Sequence, residues 1–347
     1  MSKLSLARLE EILLSIKKVK AMVIGDFALD AYWYADMTRS ELSRETPHYT
    51  RPVVKESYSP GASGNICCNV KDIGAKDVFA LSIIGTDWRG KILMDELENK
   101  GINTKGLIAS ANRVTPTYIK PIICGFDSQQ EEARFDFVNS DTLTKSLEDQ
   151  LIKKIESIVD EIDTVIIEDQ IDNGVVTDRI REVLINLATL YAEKVFVVDS
   201  RERIGFFSNM VLKPNRMEAV KAVNPSLDYK RFNVETLAKV GKELQMRAKR
   251  PVYITMSEQG ALLVTESTHY HLPAVPMKPP IDPVGAGDTF ISAIGTALSA
   301  GADPVEAGMI ANLAAAVVVK KLNVTGTATP EELIAKFEEV KNSEVWP

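Results

Sequence analysis

Asp282-Pro283-Val284-Gly285-Ala286-Gly287-Asp288-Thr289 is the stretch on which the reading of this chain turns. A proline-containing approach runs into two glycines, then an acid, then an apolar run, Phe290 to Leu298, that predicts a helix. Glycines just ahead of a helix let bare backbone N–H groups converge on an anion. The helix dipole adds partial positive charge at the same point. An acid beside such a hole repels the phosphate it adjoins, which makes sense if it takes a proton from a nucleophile. Asp288 is therefore a candidate general base, and Gly285, Ala286 and Gly287 are candidate donors to a phosphoryl group under attack. The pairing implies phosphoryl transfer to a small molecule. Taken alone, Asp288 also reads as an ordinary helix N-cap.

Outward from that turn, apolar runs of strand length alternate with longer helical patterns. Strands are expected at Ala21–Gly25, Asp77–Ile84, Thr164–Glu168, Val195–Asp199 and Val252–Thr255. Helices are expected at Asn65–Ile73, Lys91–Lys100 (closed by Gly101), Leu147–Glu161, Thr177–Ala192 and Val234–Arg247. Continuous apolar strands suggest a parallel sheet covered on both faces, and the alternation predicts a doubly wound α/β fold. Two regions break the rhythm. Ala31–Tyr58 is aromatic, polar and proline-containing, and Arg113–Val138 holds strand patterns at Thr117–Ile123 and Ala133–Val138. These segments, about 31–58 and 113–138, are expected to form a small β-sheet lid. No flexible linker, repeat or low-complexity tract divides the chain, so residues 1–347 read as one domain with a lid.

Composition narrows the function. The formal net charge of −7 over 347 residues argues against bulk nucleic-acid binding, though not against a local basic pocket for phosphate. Cys67, Cys68 and Cys124 are odd in number and two are adjacent, so no disulfide framework is implied. Met1 to Lys20 looks amphipathic and is charged throughout, unlike a signal peptide or a membrane span. A cytoplasmic protein with no membrane partner is expected. His48, His269 and His271 show no ligand spacing for zinc.

Gly85-Thr86-Asp87-Trp88-Arg89-Gly90-Lys91 satisfies most of the P-loop pattern. Ile92 follows where a Ser or Thr should reach the metal, and an acid sits mid-cradle, so a plain strand-to-helix turn is expected. The dinucleotide fingerprint is absent after the first strand, which runs into Gly25-Asp26.

Asp282-Pro-Val-Gly-Ala-Gly-Asp288 resembles the C-terminal signature of the PfkB, or ribokinase-like, carbohydrate kinases. Pro60-Gly61-Ala62-Ser63-Gly64-Asn65 resembles that family's glycine-rich sugar-binding signature, departing at Ala62, where a second glycine is usual. Gly25-Asp26-Phe27-Ala28-Leu29-Asp30 is similar to the first-strand motif whose last acid grips sugar hydroxyls. Asn215-Arg216-Met217-Glu218 is similar to the N-x-x-E motif that organises Mg²⁺ through water; Asn215 and Glu218 also form a capping-box pattern. Thr255-Met256-Ser257-Glu258-Gln259-Gly260 looks like the nucleotide-binding turn, and Ala311-Asn312 lies where relatives line the adenine pocket.

The resemblance spans nearly the whole chain. It implies a ribokinase-like fold and an ATP- and Mg²⁺-dependent sugar kinase. Asp30, Gly61 and Asn65 would hold the sugar, and Ser257, Gly260, Asn312 and Lys213 the nucleotide. Lid strands would pair between subunits of a homodimer. A non-catalytic sugar sensor would be expected to lose the base or the anion hole; this chain keeps both.

Within the family, the likeness is strongest to the heptose 7-phosphate kinases. It rests on Asp30-Ala31-Tyr32-Trp33-Tyr34, Thr38-Arg39-Ser40, Pro52-Val53-Val54-Lys55, Ser128-Gln129-Gln130 and Arg134-Phe135-Asp136-Phe137. Lid arginines Arg39, Arg44, Arg51, Arg113 and Arg134 suit a phosphate already on the substrate; Arg39 and Arg134 are the chosen candidates. Where relatives carry Asp-Tyr-x-Lys-Gly this chain has Asp169-Gln170-Ile171-Asp172-Asn173-Gly174, and Asp199-Ser200-Arg201 replaces Asp-Pro-Lys. Some relatives carry a fused nucleotidyltransferase domain, which is not expected in a chain ending at Pro347. Ribose- or fructose-type acceptors are the alternatives to a heptose.

Overall fold

The computed structural model describes residues 4–226, 232–322 and 325–342. The first half of the chain runs α1 (Leu6–Ile16), β1 (Lys20–Gly25), β2 (Phe27–Asp36), β3 (Val53–Ala62), α2 (Ser63–Ile73), β4 (Asp77–Gly85), α3 (Trp88–Asn99), β5 (Asn103–Ser110), β6 (Thr117–Cys124), β7 (Gln129–Glu131) and β8 (Phe135–Phe137). There follow α4 (Lys145–Ile158), β9 (Thr164–Asp169), α5 (Asp178–Leu190), β10 (Val195–Ser200), β11 (Val211–Leu212), α6 (Arg216–Val223), α7 (Val234–Ala248), β12 (Val252–Thr255), β13 (Ala261–Val264), β14 (His269–Leu272), α8 (Ala286–Ser299), α9 (Pro304–Val318) and α10 (Pro330–Val340).

Nine strands form the main sheet in the order β14-β13-β12-β11-β10-β9-β1-β4-β5. From β5 to β12 neighbours are parallel; β12, β13 and β14 close the edge antiparallel. Every residue of β9 is buried, as a strand covered on both faces requires. Along β1 the side chains alternate between two cores. Ala21 and Val23 pack with α2, α8 and α9, while Met22 and Ile24 pack with α4, α5 and α7. This is the expected doubly wound α/β fold of the ribokinase type.

The two irregular segments build a second sheet, ordered β3-β2-β6-β7, with β8 also paired to β6. Its strands reach further than the sequence pattern suggests: β2 begins at Phe27 and β3 ends at Ala62, so both grow directly from the core. The alternating run at Ala133–Val138 forms a strand only over Phe135–Phe137. Arg113 anchors this sheet to the body. Its Nη1 donates to the carbonyl of Asp141 and its Nη2 to that of Asn173, each at 2.6 Å.

The Gly85–Lys91 turn needs no external anion. The Asp87 carboxylate accepts from the N–H groups of Gly90 (3.0 Å) and Thr115 (2.9 Å) and pairs with Arg89, filling the start of α3 from within. Among the described residues no helix is long and apolar enough to cross a membrane.

Candidate active site

A cavity of about 850 Å³ opens at the C-terminal ends of β9 and β10, between the main sheet and the inner face of the small sheet. Open α/β sheets bind ligands at this end of their strands. Asp288, Gly287, Lys213, Asn215, Glu218, Asp30 and Arg134 all line it, so residues spread over most of the sequence meet in one space.

The turn at Asp282–Asp288 starts α8. Gly285 is its N-cap, at φ 79°, ψ −4°, a left-handed backbone that costs glycine nothing. A Cβ there would also stand 3.1 Å from the Asn65 side chain. The three expected donors are not equivalent. Ala286 N–H already donates to the carbonyl of Pro283 at 3.2 Å. The N–H groups of Gly285 and Gly287 have no protein acceptor among the described residues.

Asp288 is held by a relay that the sequence did not foretell, Asn65 having been expected on the sugar. Thr289 Oγ1 donates to Asn69 Oδ1 (2.7 Å), Asn69 Nδ2 donates to Asn65 Oδ1 (3.1 Å), and Asn65 Nδ2 donates to Asp288 Oδ2 (2.7 Å). All four residues sit on the facing helices α2 and α8. Asn65, expected on the sugar, is only 2% exposed and does not line the cavity; the structure places its amide on the acid. Burial pushes the Asp288 carboxyl up to about 6, the Asn65 hydrogen bond pulling down and the charge of Asp199 pushing up.

Around it lies a buried charge cluster of one lysine and several acids. Lys213 Nζ sits 2.6 Å from Asp199 Oδ2, with both side chains less than a tenth exposed. Burial alone would lower the Lys213 ammonium, but Asp199 and Glu218 outweigh it and raise it. A Cβ on Gly287 would lie 3.8 Å from Lys213 Nζ, so this ammonium adjoins the anion turn. Burial also raises Glu168 well above the carboxylate range, with the charge of Asp288 next in weight. Asn215 and Glu218 form a full capping box at the start of α6, with Glu218 Oε2 accepting from Asn215 N–H (2.7 Å) and Asn215 Oδ1 from Glu218 N–H (2.9 Å). The capping pair faces the cavity, and burial, with Asp199 behind it, raises Glu218 to about 7. Asp199 Oδ1 and Glu168 Oε2 are buried without a hydrogen-bond partner among the described residues. Partnerless carboxyl oxygens beside an amide suit the water shell of a hydrated Mg²⁺.

At the other end Asp30 stands on β2 with Lys120 Nζ 3.2 Å from its Oδ1; Tyr32 Oη is 3.1 Å from the same nitrogen. Gly61 lies diagonally across on β3, where a Cβ would come within 2.7 Å of Asp30 Oδ2, so only glycine leaves the acid its place. Tyr32 and Tyr34 line the cavity; Trp33, between them, faces away, as strand alternation requires. Ala62 has φ 50°, ψ −126°, a backbone that residues with a Cβ rarely adopt.

The remaining candidates separate. Arg134 lines the cavity, held by Asp136 at 2.6 and 2.7 Å. Arg39 does not: its side chain is 70% exposed, 3.3 Å from Asp36. Arg51 pairs with Glu132, and Arg113 is spent on backbone carbonyls. Ser257 and Gly260 flank a turn between β12 and β13 and do not line the cavity; a Cβ on Gly260 would collide with the Leu272 carbonyl at 2.1 Å. The amide of Asn312 is occupied by the carbonyls of Leu272 (3.1 Å) and Pro273 (3.0 Å), so it shapes a wall. Glu168, Asp199, Lys120 and Tyr118 line the cavity without having been singled out. An acid closing a buried apolar strand was the available signal for the first two.

This arrangement defines the class: a ribokinase-like α/β fold whose cavity joins a helix-start anion turn to a carboxylate. A family model described as "pfkB family carbohydrate kinase" matches residues 20–332, and the chain belongs to that family. It is 31% identical over 320 residues to the bifunctional protein HldE of a Nitratiruptor species, covering 91% of this chain and 64% of that one. It is 32% identical over 324 residues to the HldE protein of Aliarcobacter butzleri, again covering 91% and 64%. The chain thus spans a little under two thirds of the length of these relatives. Among solved structures it resembles phosphofructokinase-2 of Escherichia coli (TM-score 0.71, 17% identity, 93% of this chain and 99% of that one). Ribokinase of Thermotoga maritima is also similar (TM-score 0.65, 23% identity, 92% and 99%). At these identities the two structures speak for the fold.

Proposed function

We propose that this protein is an ATP- and Mg²⁺-dependent sugar kinase, with a heptose 7-phosphate, phosphorylated at its anomeric hydroxyl, as the favoured acceptor. The observation that carries the reading is the meeting of Asp288, held by Asn65, with the free N–H of Gly287 in the cavity that also holds Asp30, the free N–H of Gly285 lying at the adjoining helix cap. Asp288 takes the proton of the acceptor hydroxyl as its oxygen bonds to the γ-phosphorus and the bond to the ADP oxygen breaks. The two N–H groups and Lys213 balance the negative charge on the transferring group. Asp30 accepts hydrogen bonds from sugar hydroxyls, its carboxylate oriented by Lys120. Glu218, Asn215 and Asp199 hold the water shell of Mg²⁺, which when bound neutralises the nucleotide phosphates. The turn at Ser257–Gly260 and the wall fixed by Asn312 border the nucleotide.

The heptose preference rests on the resemblance of Asp30–Tyr34, Thr38–Ser40, Pro52–Lys55, Ser128–Gln130 and Arg134–Phe137 to the heptose 7-phosphate kinases. Pairing of two chains through the small sheet belongs to the same proposal, supported by exposed Val53, Val54, Phe135 and Val138 on its strands and rim. ATP turnover against a panel of neutral and phosphorylated sugars, with product position fixed by phosphorus NMR, tests the reading. Acceptor-dependent ADP release supports it; none with any sugar of the panel overturns it.

A further inference from the structure

An asparagine side chain carries a donor at one end and an acceptor at the other, so a chain of them has a direction. Where α2 meets α8, the backbone sets that direction. Asn69 Nδ2 lies 3.0 Å from the Asn65 carbonyl, which can only accept, so the nitrogen end of Asn69 faces Asn65. The same nitrogen is 3.1 Å from Asn65 Oδ1 and meets the oxygen end of that amide. The far end of Asn65 is then its nitrogen, which donates to Asp288 Oδ2 at 2.7 Å. On the other side, the oxygen of Asn69 faces Thr289 Oγ1 at 2.7 Å, and the hydroxyl supplies the donor it requires. Turning either amide over would set oxygen against oxygen.

Asn69 and Thr289 are 0% exposed and do not line the cavity, so neither meets water or a ligand there. Two apolar side chains would pack the same contact with no polar group left to satisfy. The helices also have a separate polar tie, Ser292 Oγ lying 2.6 Å from the Asp288 carbonyl and 3.3 Å from that of Ile66. What Asn69 and Thr289 add is the orientation of Asn65. With the Asn65 N–H on Oδ2, the Asp288 carboxylate is held against rotation. Its Oδ1, which has no hydrogen-bond partner among the described residues, is left for the cavity. A reversed Asn65 would turn its oxygen on the carboxylate and repel it.

We propose that Asn69 and Thr289 are positioning residues for phosphoryl transfer: they fix the orientation of the Asn65 amide and, through it, present Asp288 Oδ1 to the acceptor hydroxyl. The hydroxyl proton passes to Oδ1 as the hydroxyl oxygen bonds to the γ-phosphorus and the bond to the ADP oxygen breaks. The inference rests on the sugar-kinase reading above and adds two residues that never touch the sugar.

Three variants test it. Thr289→Ser keeps the hydroxyl, Thr289→Val replaces it with a methyl group, and Asn69→Asp offers Asn65 acceptors where it had a donor, turning that amide over. With ATP, Mg²⁺ and the best sugar acceptor, kcat is expected to fall about 3- to 10-fold in Thr289→Val and about 10²-fold in Asn69→Asp, with KM for ATP and sugar within about twofold of wild type. Thr289→Ser is expected to restore most of the rate lost in Thr289→Val. In an Asn65→Ala background neither Thr289→Val nor Asn69→Asp should lower kcat further. Losses that persist undiminished in that background, losses that fall on KM alone, or an Asn69→Asp enzyme with wild-type kcat overturn the inference. If Asn69→Asp does not fold, equal kcat in Thr289→Val and Thr289→Ser overturns it. Selective nitrogen-15 labelling of asparagine reads the relay without turnover. The Asn65 side-chain signal is expected to shift on Asp288→Asn in the wild-type background and far less in the Asn69→Asp background, where the amide has turned away. A wild type that shows these shifts but no acceptor-dependent turnover overturns the kinase reading alone; equal shifts in the two backgrounds overturn the inference.

Discussion

At the scale of single residues, Asp288 shows how environment assigns a role. The sequence allows it as an N-cap, but Gly285 caps the helix, the Asp288 side chain is turned to Asn65 and the cavity, and its carboxyl is raised to about 6. A base is active when deprotonated, so kcat/KM is expected to rise through an acidic limb near pH 6 and level above it. A pH–rate profile with no inflection between about 5 and 7 speaks against Asp288 as the titrating group. Glu218 makes a second case. Its capping box and its cavity position are both present, so the two readings of Asn215 and Glu218 left open by the sequence are compatible. Glu218→Gln keeps an oxygen for the cap but loses the charge, and is expected to raise the Mg²⁺ concentration needed for half-maximal rate tenfold or more; an unchanged Mg²⁺ dependence counts against the assignment. Ala62 stands in a backbone conformation that favours glycine. Ala62→Gly is expected to stabilise the protein by about 1 kcal/mol, relieved strain exceeding the entropy glycine adds to the unfolded chain. The readout is a higher urea midpoint at unchanged slope.

At the scale of elements, β1, β4, β9, β10 and β12 of the main sheet were legible because each is an apolar run, whereas β5, β11, β13 and β14 were not expected. β1 and β9 are near-continuous apolar runs, and α2, α4 and α7 carry clear apolar stripes. The short elements were not. β7 is Gln-Gln-Glu, wholly exposed, and exists because it pairs with β6, not because of any local preference. The site divides along the same line. Asp288 and Asp30 stand in motifs that read locally, whereas Asn69, Thr289 and Lys120 act through partners far away in sequence. Arg113 was legible as a lid arginine but not as a clamp. With its two hydrogen bonds to the carbonyls of Asp141 and Asn173 removed, Arg113→Ala is expected to cost about 1–3 kcal/mol. Loosening the small sheet should also raise KM for the sugar; an unchanged KM and midpoint would show that the lid does not depend on this tie.

At the scale of the whole molecule, the buried acids set the pH response. Asp26, whose carboxylate accepts from the N–H groups of Gln170, Ile171 and Val175, is raised by burial to about 6; Asp288 stands at about 6 and Glu218 at about 7. Each folded value lies above its ordinary value of 3.8 or 4.5, so the native state binds more protons than the unfolded chain across roughly pH 4–7. Stability from these groups is present below that window and lost as pH rises through it. The melting temperature is therefore expected to fall between about pH 5.5 and 7.5, and added Mg²⁺ to flatten the slope by offsetting charge around Glu218 and Asp199. A melting temperature that rises with pH over this range would mean that the cluster is not charged as described.

The turn at Asp282–Asp288, the small sheet with Asp30 and the cluster around Lys213 converge on one reaction, and Asp288→Asn tests it most directly. The variant keeps size and hydrogen bonding but cannot take a proton. With ATP, Mg²⁺ and the best sugar acceptor, kcat is expected to fall by about 10²–10⁴-fold while sugar and ATP still bind with near wild-type affinity. Turnover close to the wild-type rate would contradict the assignment of Asp288 as the base.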